Sequence, residues 1–269
     1  PKGTEHFMSD LHGEYDAFYH IINNCSGVIR EKVAMLYGDE LTVYEQQELC
    51  TLIYYPREKL SILMDENKVN DEWYRNVLNQ LIQIAKLLSS KYTRSKVRKA
   101  MPVDFAYIID ELIHAQKDED DNRSVYHRQI METILSLHNG DEFLVALTDL
   151  IKRLAVDHLH ILGDIYDRGA HADKILDLLM EHHSVDIQWG NHDILWMGAF
   201  CGNPVCMALV VRNNIKYKTM SILENGYGIS LRFLLQFAVN TYSDKNVDDA
   251  VYNCLLYTSP SPRDPKTSR

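Results

Sequence analysis

Hydrophobic and polar positions follow two rhythms along the chain, and each predicts a different kind of element. Residues 5–9 read as a short strand running into a polar turn. Tyr15, Phe18, Tyr19 and Ile22 then recur at the spacing of one helical face, which predicts a helix over 14–24. Beyond residue 41 the helical period takes over. Thr42 followed by Glu45 is a capping box for a helix ending near Tyr55, where Pro56 breaks it. Asn70 caps a long helix through Ser89, whose Trp73, Val77, Leu78, Leu81, Ile84, Ala85 and Leu88 form one broad apolar stripe. Residues 103–117, 124–138 and 141–154 repeat the pattern, and the charged run 117–123 reads as a solvated turn. Strand-like signals return over 156–162, where the weak alternation suits a buried parallel strand. A helix over 172–181, a strand over 185–189 and a helix opening after Asn191 follow, so strand, loop and helix succeed one another twice. Between 209 and 236, helical stretches are interrupted at Gly226-Tyr227-Gly228.

These elements predict an α/β protein whose core begins over residues 1–40, gives way to an all-helical insertion over 41–155 and resumes over 156–257. Residues 258–269 hold three of the seven prolines and no apolar periodicity. They read as a disordered tail, or as an assembly scar replacing a natural continuation. The first residue is Pro1 rather than a methionine.

Composition narrows the class. At 269 residues and 46% hydrophobic content the chain can bury a real core. Twenty-eight basic against thirty-eight acidic residues give a net charge of -10, which argues against nucleic acid or an anionic membrane as the main partner. A phosphate-bearing substrate is still possible where metal ions and a few arginines invert the field locally. The five cysteines form no CxxC pair, so reduced thiols are expected. No apolar run reaches the roughly 18–20 residues of a membrane helix, and no signal-peptide pattern opens the chain, so a cytoplasmic location is expected.

Three short pieces carry candidate chemistry, each directly after a predicted strand. In Asp10-Leu11-His12-Gly13, strand alternation would point the Asp10 carboxylate and the His12 imidazole at one ion, with Gly13 allowing a sharp turn. In Gly163-Asp164-Ile165-Tyr166-Asp167-Arg168-Gly169, Asp164 is placed to bridge two metals, Asp167 to orient a nearby histidine, and Arg168 to offer a fork of donors to phosphate oxygens. In Gly190-Asn191-His192-Asp193, Asn191 can ligate a hard metal, His192 can donate a proton, and Asp193 opens a helix whose positive end favours a carboxylate. Taken singly, the same pieces also read as a polar turn, a charged loop with an internal ion pair, and a helix cap.

In this order, D-x-H-G, G-D-x-x-D-R-G and G-N-H-D together resemble the signature of the calcineurin-like metallophosphoesterases. The resemblance implies a β-sandwich flanked by helices with two divalent ions at the strand ends. By the same resemblance, Asp10 and His12 match ligands of the first ion, Asp164 the bridging ligand and Asn191 a ligand of the second. His192 matches the acid, Asp167 its orienting partner and Arg168 a phosphate contact. Gly13 and Gly163 lie 150 residues apart, far beyond the few dozen of ordinary members. That insertion, with the opening segment through Tyr15, is similar to the bacterial class 3 fructose-1,6-bisphosphatases from residue 1 to about 255. This family is longer at both ends.

The resemblance implies removal of the 1-phosphate of fructose 1,6-bisphosphate, with manganese favoured among the metals, and regulation by metabolites; the large apolar stripes of the helical module could separately support a homo-oligomer. Phosphatases of other substrates, phosphoprotein or dinucleotide polyphosphate, and a non-catalytic regulatory fragment are the alternatives. Relatives in the superfamily complete the second ion with two histidines beyond G-N-H-[DE]. Here His192 is the last histidine of the chain, so one ion or none, and little catalysis, are expected of it. His182 and His183 at a helix end, and His158 and His160 in mid-strand, read as packing or surface residues sooner than as substitutes. Lys91, Arg94, Lys96, Arg98 and Lys99 read as a solvated basic helix end, with an anionic regulator as the alternative.

Overall fold

The computed structural model describes residues 3–114 and 121–241, with the side chains of 121–124 left out. Most of the charged run 117–123, Cys254 and the 258–269 tail lie outside the described residues. The chain divides into two compact units, one of residues 1–6 and 20–158, the other of residues 7–19 and 159–269. In chain order the elements are β1 (Glu5–Met8), α1 (Tyr15–Asn24), α2 (Val28–Tyr37), α3 (Val43–Tyr54), α4 (Pro56–Asp65), α5 (Asp71–Ser89), α6 (Arg94–Ala100), α7 (Ala106–His114), α8 (Asp121–Ser136), α9 (Gly140–Ala155), β2 (His158–Ile161), α10 (Ala172–Glu181), β3 (Val185–Ile187), α11 (Asn191–Phe200), α12 (Pro204–Lys216) and α13 (Arg232–Thr241). The protein is thus a mixed α/β chain, mostly helical, with one small sheet. No helix among the described residues is long and apolar enough to cross a membrane.

The first unit is helical because its sequence supplies both stripes and stops. Asn70 accepts the Trp73 N–H at 2.8 Å, Asp71 and Glu72 fill the first turn of α5, and Val77, Leu78, Leu81, Ile84, Ala85 and Leu88 are all buried along it. Its main packing partner is α9, with Phe143, Leu144, Leu147, Leu150 and Ile151 buried, acidic residues in the first turn and Lys152 and Arg153 in the last. Each such side chain contributes roughly 1.5–3 kcal/mol by leaving water. The capping box at Thr42 forms in both directions: Thr42 Oγ1 accepts the Glu45 N–H, and the Glu45 carboxylate accepts the Thr42 N–H at 2.8 Å. Pro56 does more than end α3. It is the first residue of α4, where a missing N–H costs nothing and the fixed φ suits the helix.

The second unit holds most of the sheet, ordered β1-β2-β3, with β2 central and paired parallel to β3 through Leu159↔Val185, His160↔Asp186 and Ile161↔Ile187. The strands are shorter than the predicted runs 5–9, 156–162 and 185–189. Their flanking residues instead turn into the loops that carry the polar motifs. Leu159 and Ile161 of β2 are buried, as are Ala172, Ile175 and Leu179 of α10. Further along, α11 packs on α12, and the interruption at 226–228 follows a π-helical turn, Ile222–Gly226. Ile215 and Ala238 form a small cluster with Val211, Met220, Leu234 and Leu235.

Candidate metal and phosphate site

All three motifs fall in the second unit, in loops that leave the C-terminal ends of β1, β2 and β3. Backbone hydrogen bonds join the first two. The Asp10 N–H donates to Gly163 C=O at 3.1 Å, His12 N–H to Asp164 C=O at 2.8 Å and Gly13 N–H to Ile165 C=O at 2.8 Å, and the Gly169 N–H returns to His12 C=O at 2.5 Å. Two glycine pairs allow this closeness. A Cβ on Gly13 would strike the Gly169 carbonyl, and a Cβ on Gly163 would strike the Gly190 amide nitrogen, so at each crossing two backbones touch where no side chain fits.

The Asp10 and His12 side chains converge, with Oδ1 and Nε2 3.4 Å apart, but not by strand alternation. β1 has ended at Met8, and Asp10 and His12 both adopt left-handed backbone, φ 56° and 49°. Consecutive turns do what the period of two was expected to do. Asp164 is left-handed as well, φ 55°, so three of the chain's positive-φ side-chain-bearing residues are candidate ligands. Such conformations cost of order 1–3 kcal/mol each and cluster where function holds them.

Asp167 is nearly sealed, its side chain 4% exposed, between two imidazoles. Its Oδ2 lies 3.1 Å from His12 Nδ1 and its Oδ1 3.5 Å from His192 Nδ1. Neither approach is aligned as a hydrogen bond, and His12 Nδ1 and Asp167 Oδ1 are buried polar atoms without one. Arg168 donates from Nε to Asp167 Oδ2 at 3.0 Å while most of its side chain faces solvent. The anchored Nε leaves the exposed end of the guanidinium to meet an incoming anion.

Asn191 is exposed at the first turn of α11, and no hydrogen bond ties its amide to Asp10, His12 or Asp164. Asp164 accepts the His192 N–H at 3.2 Å. Asp10, His12 and Asp164 share the loop cluster, but their ligand atoms do not close to within 4.8 Å as a trio. The donor set, two carboxylates and an imidazole with orphaned polar atoms beside them, fits a divalent ion of the manganese, iron or zinc kind. After His192 the chain contributes no further imidazole.

Other candidates go elsewhere. His160 pairs with Asp186 at 2.9 Å and stacks on Phe7, ring centroids 4.4 Å apart. His182 and His183 lie just past the end of α10, their rings tilted against each other with centroids 4.4 Å apart. In the first unit the basic stretch is partly paired: Arg94 meets Asp110 at 2.7 Å and Lys96 meets Asp157 at 2.5 Å. No local pattern announces the aromatic support behind the second motif. Tyr166 stacks on Trp196, centroids 4.4 Å apart, and its hydroxyl meets that of Tyr227 at 2.6 Å. Burial first, and this hydrogen bond second, push the Tyr166 hydroxyl well above the usual phenol range. These rings, with Trp189, Met197 and Phe200, line an apolar cleft of about 550 Å³.

A mixed α/β protein with a polar loop cluster at the carboxyl ends of its strands is the class that fold and site define. The family described as Firmicute fructose-1,6-bisphosphatase matches residues 1–255, and the chain belongs to that family. Among curated proteins it is 54% identical over 244 residues to fructose-1,6-bisphosphatase class 3 1 of Clostridium beijerinckii, covering 91% of this chain and 37% of that one. It is 50% identical over 261 residues to the class 3 enzyme of Clostridium acetobutylicum, with 96% and 39% covered, and 50% identical over 262 residues to that of Bacteroides fragilis, with 94% and 39% covered. The chain therefore spans well under half the length of these relatives. No solved structure matches it. Membership in the family implies dependence on a divalent metal.

Proposed function

We propose that the chain carries the strand-end loops of a metal-dependent phosphomonoesterase that, in the protein of the relatives' length, removes the 1-phosphate of fructose 1,6-bisphosphate in the cytoplasm. The supporting observation is the convergence, within one unit, of the Asp10–His12 pair, the Asp164 loop and the Asp167–His192 contact, in a member of this family. Residues 41–155 are assigned as the helical insertion, and residues 1–40 and 156–257 as part of a metallophosphoesterase β-sandwich, with 258–269 as tail.

Asp10, His12 and Asp164 would hold one divalent ion, manganese by preference, and Asp164 with Asn191 would contribute to a second. Such ions supply Lewis acidity toward phosphate oxygens. The chain's own residues do the rest. Arg168, anchored by Asp167, binds and neutralises the phosphoryl oxygens, and His192, held beside Asp167, delivers a proton to the departing sugar oxygen. Of the one ion or none expected of a chain with no histidine after His192, this reading takes one, weakly held, with little turnover. Metabolite regulators and self-association through the helical module belong to the same proposal.

Phosphate release from fructose 1,6-bisphosphate tests it, using the chain extended to the relatives' length. Activity should need added divalent metal and vanish in Asp164→Ala. Full activity in that variant, or turnover of phosphopeptide or dinucleotide polyphosphate in preference to the sugar bisphosphate, would overturn it.

A further inference from the structure

Asp193 is the one fully buried carboxylate of the second unit among the described residues, and it faces no cation. Its charge is met by peptide N–H groups alone. Oδ2 accepts from Asp164 at 2.7 Å and from Gly190 at 2.9 Å, while Oδ1 accepts from Ile165 at 2.9 Å and from Tyr166 at 3.1 Å. Three of these donors belong to the loop of the second motif and one to the entry of the third. As the third residue of α11, Asp193 caps its own helix through Gly190 and spends its remaining acceptors on a loop about thirty residues earlier in the chain. Charge-assisted hydrogen bonds of this kind are the strong ones, and a buried carboxylate keeps its charge only when such donors surround it.

The donors it gathers are those of a strained segment. Gly163 and Asp164 have φ of 101° and 55°, and successive N–H groups turned to one side form an anion-binding hollow. A second bond runs the other way, from His192 N–H to Asp164 Oδ1 at 3.2 Å. Asp193 thus fixes the backbone of Asp164, and the start of its own helix fixes the Asp164 side chain.

We infer that Asp193 is a positioning residue: its carboxylate holds the 164–166 backbone in the shape that aims the Asp164 carboxylate and carries Asp167 and Arg168 into place, without itself touching metal or substrate. Asparagine at this position keeps the shape but turns an amide donor toward N–H groups that need an acceptor, so Asp193→Asn should release the loop while leaving the packing of α11 in place.

Amide-resolved hydrogen exchange on the chain without metal tests the first half. In the wild type the amides of Asp164, Ile165, Tyr166 and Gly190 should be as protected as those of β2. In Asp193→Asn the same four should exchange roughly tenfold faster or more, with β2 amides unchanged. Leu179→Ala, in the buried face of α10, serves as a control that loses stability away from the loop and should leave the ratio of loop to β2 exchange as in the wild type. Open loop amides in the wild type, or a uniform rise throughout the unit in Asp193→Asn, would overturn the inference, and the wild-type arm decides it even where a variant fails to fold. The second half rests on the proposed metal site, and Mn2+ titration reads it: affinity should fall at least tenfold in Asp193→Asn and stay near wild type in Leu179→Ala. Equal affinity in wild type and Asp193→Asn sinks the aiming role. No Mn2+ binding by the wild type contradicts the metal site and the aiming role together, and leaves the exchange result to stand on its own.

Discussion

Gly163→Ala should be among the most damaging single-methyl changes available in the second unit. Gly163 has φ 101°, a backbone that costs an L-residue about 1–2 kcal/mol. The added Cβ would also overlap the Gly190 amide nitrogen and lie 2.8 Å from Gly190 Cα and 3.1 Å from the Trp189 carbonyl carbon. Every obstructing atom is backbone, so no rotamer change relieves the clash and the two loops must part. Parting stretches the bonds that cross between them, from the Asp164 N–H to Asp193 Oδ2 at 2.7 Å and from the His192 N–H to Asp164 Oδ1 at 3.2 Å, at about 1 kcal/mol each. The total is about 3–4 kcal/mol. Gly202→Ala is the internal control, because Gly202 has φ 82° with nothing within 4 Å of its would-be Cβ, so only the conformational term of about 1–2 kcal/mol applies. Urea unfolding followed by tryptophan fluorescence suits the comparison, since Trp189 and Trp196 both report on this unit. Equal losses for the two variants would refute the claim that the motif loops are held by backbone-to-backbone contact.

Other expectations concern the cysteines and a helix cap. Burial pushes the Cys25 thiol up to about 12 from an ordinary 9.0, so the neutral thiol is favoured by folding. Its contribution to stability is whole below pH 9 and is lost as pH rises toward 12, and urea midpoints should fall more steeply over that window in the wild type than in Cys25→Ala. In the native protein Cys201, which is exposed, should react with a thiol reagent while Cys25 stays silent until unfolding. Thr42→Ala removes the side-chain half of the α3 capping box, leaving the backbone N–H to Glu45, and should cost about 1 kcal/mol in urea titration; no measurable loss would show the cap to be idle.

What the sequence made legible was whatever is written locally. The α5 stripe, its Asn70 cap, the Thr42 capping box and the α10 span follow from periodicity and from side chains that reach their own backbone, and each is found where expected. Pro56 ends α3 where expected, but it also begins α4, because a proline that stops one helix can open the next. The Asp10–His12 pair was found for the wrong reason: two residues of spacing mean convergence on a strand, but here the strand had ended and left-handed turns produced it. Contacts across long separations left no local trace. Nothing in the neighbourhood of Gly13 announces Gly169, and Asp193 looked like an ordinary acidic residue at a helix start because its donors come mostly from 164–166.

Metal content measured on the purified chain after equilibration with Mn2+ tests the central claim most directly. The proposed site predicts one ion per chain, weakly held, abolished by His12→Ala and by Asp164→Ala. Binding that survives both substitutions, or no binding by the unaltered chain, would contradict a metal site built from the three strand-end loops.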